Sequence, residues 1–392
     1  MKKYHPNFIN HDPRRRELLR GMGLGAAVWS TPLGAMANTK STTPPKVVWI
    51  MLRGAMDSLH AVVPTFEKSL MDHRASLVEP IWDDLLPLQD GFALHPALKG
   101  MHSLYQAKQL APVVAVATNY RSRSHFEGQD ILESGVMPTD HDSGWLNRAL
   151  QVSNREGLAV ARSMPISLRG EAGTKTWYPS GLNDSRDRLY EQMLDLYQYD
   201  EKLSSRLEEG IETLEIAGDI TSRRRAQNSV LISACAQLLK DKQGPDCAMI
   251  EMSGWDTHKA QVNALNRQFG QLDESLTLLK DELGRYWDNT LVIAATEFGR
   301  TVRVNGTAGT DHGTASTLFV AGGALNGGQV LGDWPGLSEK DLYEGRDLMP
   351  TGDLREWIAG LLGQHWELNK QDVAGIFPDL KIGNQLPTLL QT

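Results

Sequence analysis

The sequence predicts an α/β fold built on a mostly parallel sheet covered on both faces, and three observations carry that prediction. Five apolar runs read as buried strands: Val47 to Leu52, Leu110 to Thr118, Asp246 to Met252, Thr290 to Thr296 and Ala315 to Ala321. Continuous runs of this kind belong to strands buried on both faces. Helical segments alternate with them, as crossover connections between parallel strands require. Polar, potentially ligating side chains gather at the ends of the runs rather than inside them.

Taken in order, Ser41 to Pro45 is a polar entry linker. The first strand ends in the loop Arg53-Gly54-Ala55-Met56-Asp57. Pro96 to Gln109 reads as a helix before the second strand, and Asn119 to Arg123 is a polar loop after it. Ser124 to Ser134 reads as a helix with Ser124 near its N-cap. Val136 to Gly181 lacks clean periodicity and is expected to form an elaborated region over the site, reaching to about 210. Asp184 to Gly210 is charged and helical, and Ile220 to Lys240 continues as an amphipathic helix. A long helix is expected from His258 to Tyr286. The tail from Ser338 on shows a helix at Asp353 to Leu362 and little else.

Residues 1–37 read as an export signal outside the fold. Arg14-Arg15-Arg16 precede Glu17-Leu18-Leu19-Arg20, an apolar, Gly-rich run from Gly21 to Ala35 follows, and Ala35-Met36-Ala37 is a small-x-small cleavage site. The paired arginines point to the twin-arginine route, and thus to a periplasmic or secreted protein that folds before export. An ordinary secretory signal or a membrane anchor is the alternative. The run is short of the ~20 apolar residues of a membrane span, and the sequence holds no second span of that length. Removing the six basic and two acidic residues of this segment takes the formal charge from −8 to −12. Such a surface argues against nucleic acid or an anionic membrane as a partner. The remaining 38–392 suits a single large α/β domain. Cys235 and Cys247 are either a periplasmic disulfide or two buried thiols.

Ligands of open α/β sheets bind at the carboxyl ends of the strands. Asp57 follows the first strand, Ser122, Ser124 and His125 the second, and Glu251, Asp256 and His258 the third. Glu297 and Arg300 follow the fourth, and the loop after them delivers Asp311 and His312. Each has an ordinary reading: Asp57, Ser124, Asp256 and Thr257 as helix caps, and Asp311-His312-Gly313 as a hydrogen-bonded turn. Their convergence at one sheet edge predicts a site for one or two divalent metals, or for an anion.

Six segments then carry a resemblance: LRGAMDSLHAVVP (Leu52–Pro64), SHFEGQD (Ser124–Asp130), GWLNRAL (Gly144–Leu150), GWDTHKAQ (Gly254–Gln261), TEFGRT (Thr296–Thr301) and GTDHG (Gly309–Gly313). In this order they resemble the alkaline phosphatase and sulfatase superfamily and, within it, the exported family called domain of unknown function 1501. The resemblance implies a three-layer α/β/α sandwich of the alkaline phosphatase type. It implies metal ligands among Asp57, Glu251, Asp256, His258, Glu297, Asp311 and His312. The divalent ion would be zinc first, with magnesium, manganese or calcium as alternatives. It implies a nucleophile at Ser124, and Arg300 or Arg53 holding an anion bidentately. The chain departs from the pattern at Phe298, where phosphatases carry a His. Either Asp311 or His125 replaces that ligand, or one of two metal positions is absent.

The function these features imply is a metal-dependent hydrolase of a small anionic phosphate or sulfate ester. The alternative is a non-catalytic exported protein that binds a metal or another ligand on the same fold.

Overall fold

The computed structural model describes residues 43–179, 228–380 and 388–390, with positions 197, 202, 203 and 206. The expected export signal and most of the charged helix expected over 184–210 lie outside the described residues. The strands are β1 (Lys46–Arg53), β2 (Val62–Pro64), β3 (Leu86–Pro87), β4 (Phe92–Leu94), β5 (Leu110–Ala117), β6 (Gly157–Val160), β7 (Thr174–Thr176), β8 (Cys247–Ser253), β9 (Thr290–Ala295), β10 (Ser316–Ala321) and β11 (Gly352–Asp353). The helices are α1 (Ser58–Ala61), α2 (Ser69–Val78), α3 (Lys99–Gln106), α4 (His125–Ser134), α5 (Trp145–Ser153), α6 (Asn228–Lys240), α7 (Gln261–Leu283), α8 (Leu354–His365) and α9 (Lys370–Ile376).

Eight strands form the central sheet in the order β11-β5-β10-β9-β1-β8-β6-β7. β1 runs parallel to β8 and β9, with Trp49 opposite Met249 on one side and Ile293 on the other. Only β10 is reversed, antiparallel to both β9 and β5. Its first residue therefore lies at the edge where the other strands end. Strand alternation splits the core between two faces. Val48, Ile50 and Leu52 pack under α3, α6 and α7. Val47, Trp49 and Met51 pack against α5, α8 and α9. The result is the expected three-layer α/β/α sandwich.

Three differences from the sequence reading have plain causes. The stretch after Val136 is not only an elaboration over the site: α5, β6 and β7 lie in it, and β6 and β7 widen the main sheet. Strands of three and four residues are too short to show a period. A small sheet, β2-β4-β3, also escaped notice for the same reason. The long helix starts at Gln261 rather than His258, because Ala260 sits at φ 46° and ends the preceding loop in the left-handed region. Asp256, Thr257 and His258 are thereby released from helix capping. Cys235 and Cys247 are free thiols buried on opposite faces of the sheet, so the disulfide alternative does not hold.

Candidate metal centre

Four side chains meet at the carboxyl edge of the sheet. Asp256, in the loop after β8, places its Oδ1 2.9 Å from His258 Nε2. The same oxygen lies 3.4 Å from His312 Nε2 and 3.4 Å from His125 Nε2. His258 Nε2 and His312 Nε2 are 3.0 Å apart. The ligating atoms of His125, Asp256 and His312 all fall within 4.8 Å of one another. His125 begins α4 after β5, and His312 immediately precedes the β10 segment. Distant parts of the chain thus supply one cluster through three loops.

The outer nitrogen of each ring has an acceptor. His125 Nδ1 is 2.7 Å from Glu297 Oε1, His312 Nδ1 is 2.9 Å from the carbonyl oxygen of Arg123, and His258 Nδ1 is 3.3 Å from Asp311 Oδ1. Carbonyl and carboxylate oxygens only accept, so the neutral rings of His125 and His312 donate from Nδ1 and present the Nε2 lone pair inward, whereas His258 has a carboxylate oxygen at each nitrogen, the nearer being Asp256 Oδ1 at Nε2. His125 Nε2 is buried and has no hydrogen-bond partner. The His312 Nε2 lone pair, 3.0 Å from His258 Nε2, can be met by a proton on that ring or by a cation. Donors of a tetrahedral cation with bonds of about 2.0–2.1 Å stand about 3.3 Å apart; Asp256 Oδ1 lies 3.4 Å from each of His125 Nε2 and His312 Nε2, and these three donors lie within 4.8 Å of one another. The chemistry and geometry of this donor set suit a divalent cation.

The electrostatics follow from the same contacts. The hydrogen bond to Glu297 raises the His125 pKa above its ordinary value, outweighing burial. Burial lowers that of His312. Burial works against the Asp256 carboxylate, but the Arg300 hydrogen bond and charge hold it below its ordinary range. Burial likewise works against Glu297, and the bonds from His125 and Gln129 overcome it.

Several residues expected to ligate do other work. Asp57 is buried, accepts from Arg74 Nη1 at 3.0 Å and from Gln261 Nε2 at 2.5 Å, and caps α1 through Leu59 N. Its ordinary reading as a cap was correct, and a buried guanidinium, not a metal, balances its charge. Glu251 pairs with Arg53 Nη2 at 2.7 Å, which keeps it out of the cluster. Glu297 is not a ligand either: Gly54 N, His125 Nδ1 and Gln129 Nε2 all donate to its Oε1, and Thr296 Oγ1 to its Oε2. Asp311 orients His258 rather than facing the centre. Of the two candidates to replace the missing phosphatase His, the structure brings in His125.

The anion-binding role expected of Arg300 is also corrected. Its side chain is buried, with Nη1 on Asp256 at 2.7 Å and Nε and Nη2 on Thr310. It positions Asp256. Arg53 is closed in the same way by Gln129, Glu133 and Glu251. Ser124 is the N-cap residue of α4 and is exposed; its side chain makes no capping hydrogen bond. It lies between Arg123, whose carbonyl holds His312, and His125. Phe298 stacks on His125 with centroids 5.0 Å apart and lies 5.4 Å from the His312 ring, so it walls the cluster.

Glycines let the loops close over one another. Gly54 has φ +120°, and a Cβ there would lie 2.6 Å from Asp256 N. At Gly309 a Cβ would meet the His258 backbone at 2.3 Å. That approach lets Asn305 Nδ2 and Thr307 Oγ1 donate to the His258 carbonyl, at 2.9 and 2.6 Å. A β-bridge between Arg300 and His312 ties the two ends of the loop. Sequence reading missed Gln129, Gln261, Thr310 and Arg74. Only Gln129 left a signal, four residues after His125 on the same face of a helix.

A family model described as "Protein of unknown function (DUF1501)" matches residues 44–377. No curated protein matches the sequence. Similar solved structures include the zinc complex of the C-terminal periplasmic domain of EcEptC from Escherichia coli, at 9% identity and TM-score 0.37, covering 72% of this chain and 73% of that one. Another is the alkaline phosphatase of the Antarctic bacterium TAB5, at 12% identity and TM-score 0.36, covering 74% and 95%. A third is the PsFucS1 sulfatase from Pseudoalteromonas sp., at 13% identity and TM-score 0.34, covering 82% and 68%.

Proposed function

Taking as premise that this chain belongs to the DUF1501 family, we propose that it is an exported metal-dependent hydrolase of phosphate or sulfate esters with one divalent cation, zinc first. The observation that carries this reading is the convergence of three outward-anchored imidazoles on Asp256. Catalytic zinc sites keep three protein donors and leave the fourth position to water or substrate. His125, Asp256 and His312 make such a set, and the half-exposed His258 lies beside it, outside these three donors.

A cation held by His125, Asp256 and His312 would supply charge stabilisation for the transferred group and lower the pKa of a nearby hydroxyl. The chain's own residues do the rest. Ser124 Oγ is the nucleophile: it bonds to phosphorus or sulfur as the ester alcohol leaves, and water then cleaves the seryl ester. First-turn N–H groups of α4 without helical partners bind anionic oxygens. Phe298 excludes water from one side of the His125 ring. Arg300 holds Asp256 against rotation.

A second reading is a non-catalytic binding protein with a closed structural site. It is favoured by the engagement of both terminal guanidinium nitrogens of Arg53, Arg74 and Arg300 within the protein. Metal analysis of the purified protein, followed by a screen with aryl phosphates and sulfates, separates the two. We expect a stoichiometric divalent metal, turnover by the wild type, and no turnover by Ser124→Ala at unchanged metal content. A fully metallated wild type without turnover establishes the binding reading instead.

A further inference from the structure

We propose that Arg53 and Gln129 are positioning residues for His125, acting through Glu297. The inference rests on the cation reading above and concerns residues that touch neither the cation nor the other ligands. Gln129 follows His125 by one helical turn on α4. Its Oε1 accepts from Arg53 Nη1 at 2.6 Å, and its Nε2 donates to Glu297 Oε1 at 2.9 Å. Glu297 Oε1 in turn takes the proton side of His125 Nδ1.

The direction of this chain is set at its far end. Arg53 has donors only, so the face of the Gln129 amide turned to it must be the oxygen. The amide nitrogen is then forced toward Glu297. Without the guanidinium the amide keeps only its bond to Glu297 and loses the partner that holds its oxygen in place. Arg53 itself cannot drift: its Nη2 is bound to Glu133 Oε1 at 2.5 Å and Glu251 Oε1 at 2.7 Å. The adjoining residue, Gly54, donates its own N–H to the same Glu297 oxygen. The end of β1 therefore reaches Glu297 twice, once directly and once through Gln129. A carboxylate fixed by so many donors keeps the His125 ring in one orientation and one tautomer. Partners of this kind behind a ligating His typically alter metal affinity about 10–100-fold when removed.

The test uses the full chain and two readouts: zinc affinity by competition with a chelator, and the ring-nitrogen chemical shifts of His125 in metal-free protein. Gln129→Glu keeps the volume and still accepts from Arg53, but cannot donate to Glu297. Arg53→Lys keeps a charge beside Glu133 and Glu251 but loses the fork that holds the amide. We expect zinc binding to weaken about tenfold or more in Gln129→Glu and severalfold in Arg53→Lys. The double variant should be no weaker than Gln129→Glu alone, because both lie on one path. In both single variants His125 should lose its single Nδ1–H tautomer. Wild-type affinity together with a wild-type tautomer in Gln129→Glu overturns the proposal, even if Arg53→Lys fails to fold. Absence of zinc binding by the wild type overturns the cation reading; the tautomer measurement, made without metal, then decides the positioning role by itself.

Discussion

His125 Nδ1 lies 2.7 Å from Glu297 Oε1, and that contact makes the acid at the end of β9 the group that orients the His125 ring. Carboxylate–histidine pairs behind a metal fix the tautomer and raise the basicity of the ligating nitrogen.

Glu297→Gln should weaken metal binding about 10–100-fold. It should also destabilise the fold by about 1–3 kcal/mol, because the neutral amide oxygen left to Gly54, His125 and Gln129 makes weaker hydrogen bonds than the carboxylate does. His125→Ala should abolish stoichiometric binding. Calorimetric titration with zinc checks both, and wild-type affinity in His125→Ala would place the metal elsewhere.

Arg74→Met should destabilise the protein by about 3–5 kcal/mol, since it leaves the Asp57 carboxylate buried without its counter-charge. Burial opposes ionisation of Asp57, and the Arg74 charge keeps its pKa below the ordinary value. The milder Asp57→Asn should fold and retain its metal. Loss of metal from folded Asp57→Asn would restore Asp57 to the ligand set.

Stability should fall as pH drops below about 6.5. Burial lowers the pKa of His60 and of His365 to about 4, and that of His95 to about 3. In the unfolded chain these rings titrate near 6.5. Between the two values the unfolded state binds more protons, so stability is complete above 6.5 and is lost on acidification. His60 and His365 should each cost about 3 kcal/mol by pH 4. Thermal melts from pH 7 to pH 4.5 test this; a flat melting temperature would mean that the folded protein accommodates the charged rings.

Arg15→Lys combined with Arg16→Lys should leave an unprocessed cytoplasmic precursor if residues 1–37 are a twin-arginine signal. Immunoblots of cell fractions read the outcome. Normal processing of the double variant in cells lacking the twin-arginine translocase would remove that route.

The central strands were legible because a strand buried on both faces must be apolar at every position, as VVWIML and LAPVVAVA are. The edge of the sheet where chemistry gathers was legible too, because strand direction fixes where loops emerge. Within that edge the sequence could not rank one acid above another. Asp57 and Asp256 are the same residue type after two parallel strands. Both meet an arginine, Arg74 and Arg300, but packing buries the first completely and leaves the second half-exposed among three imidazoles. Glu297 and Asp311 were rightly placed near the site and wrongly given its inner position, since which oxygen faces a ring's Nδ1 depends on loop closure at Gly54 and Gly309.

By itself, then, the sequence determined the sheet, its two covered faces and the loops that hold the polar residues, because burial and period act locally along the chain. Only the tertiary structure decided that His125, Asp256 and His312 come together with His258 against the last two, while Asp57, Glu251, Glu297 and Asp311 face other partners. That choice belongs to contacts between residues far apart in sequence, where each carboxylate goes to the donor that packing brings within hydrogen-bond reach.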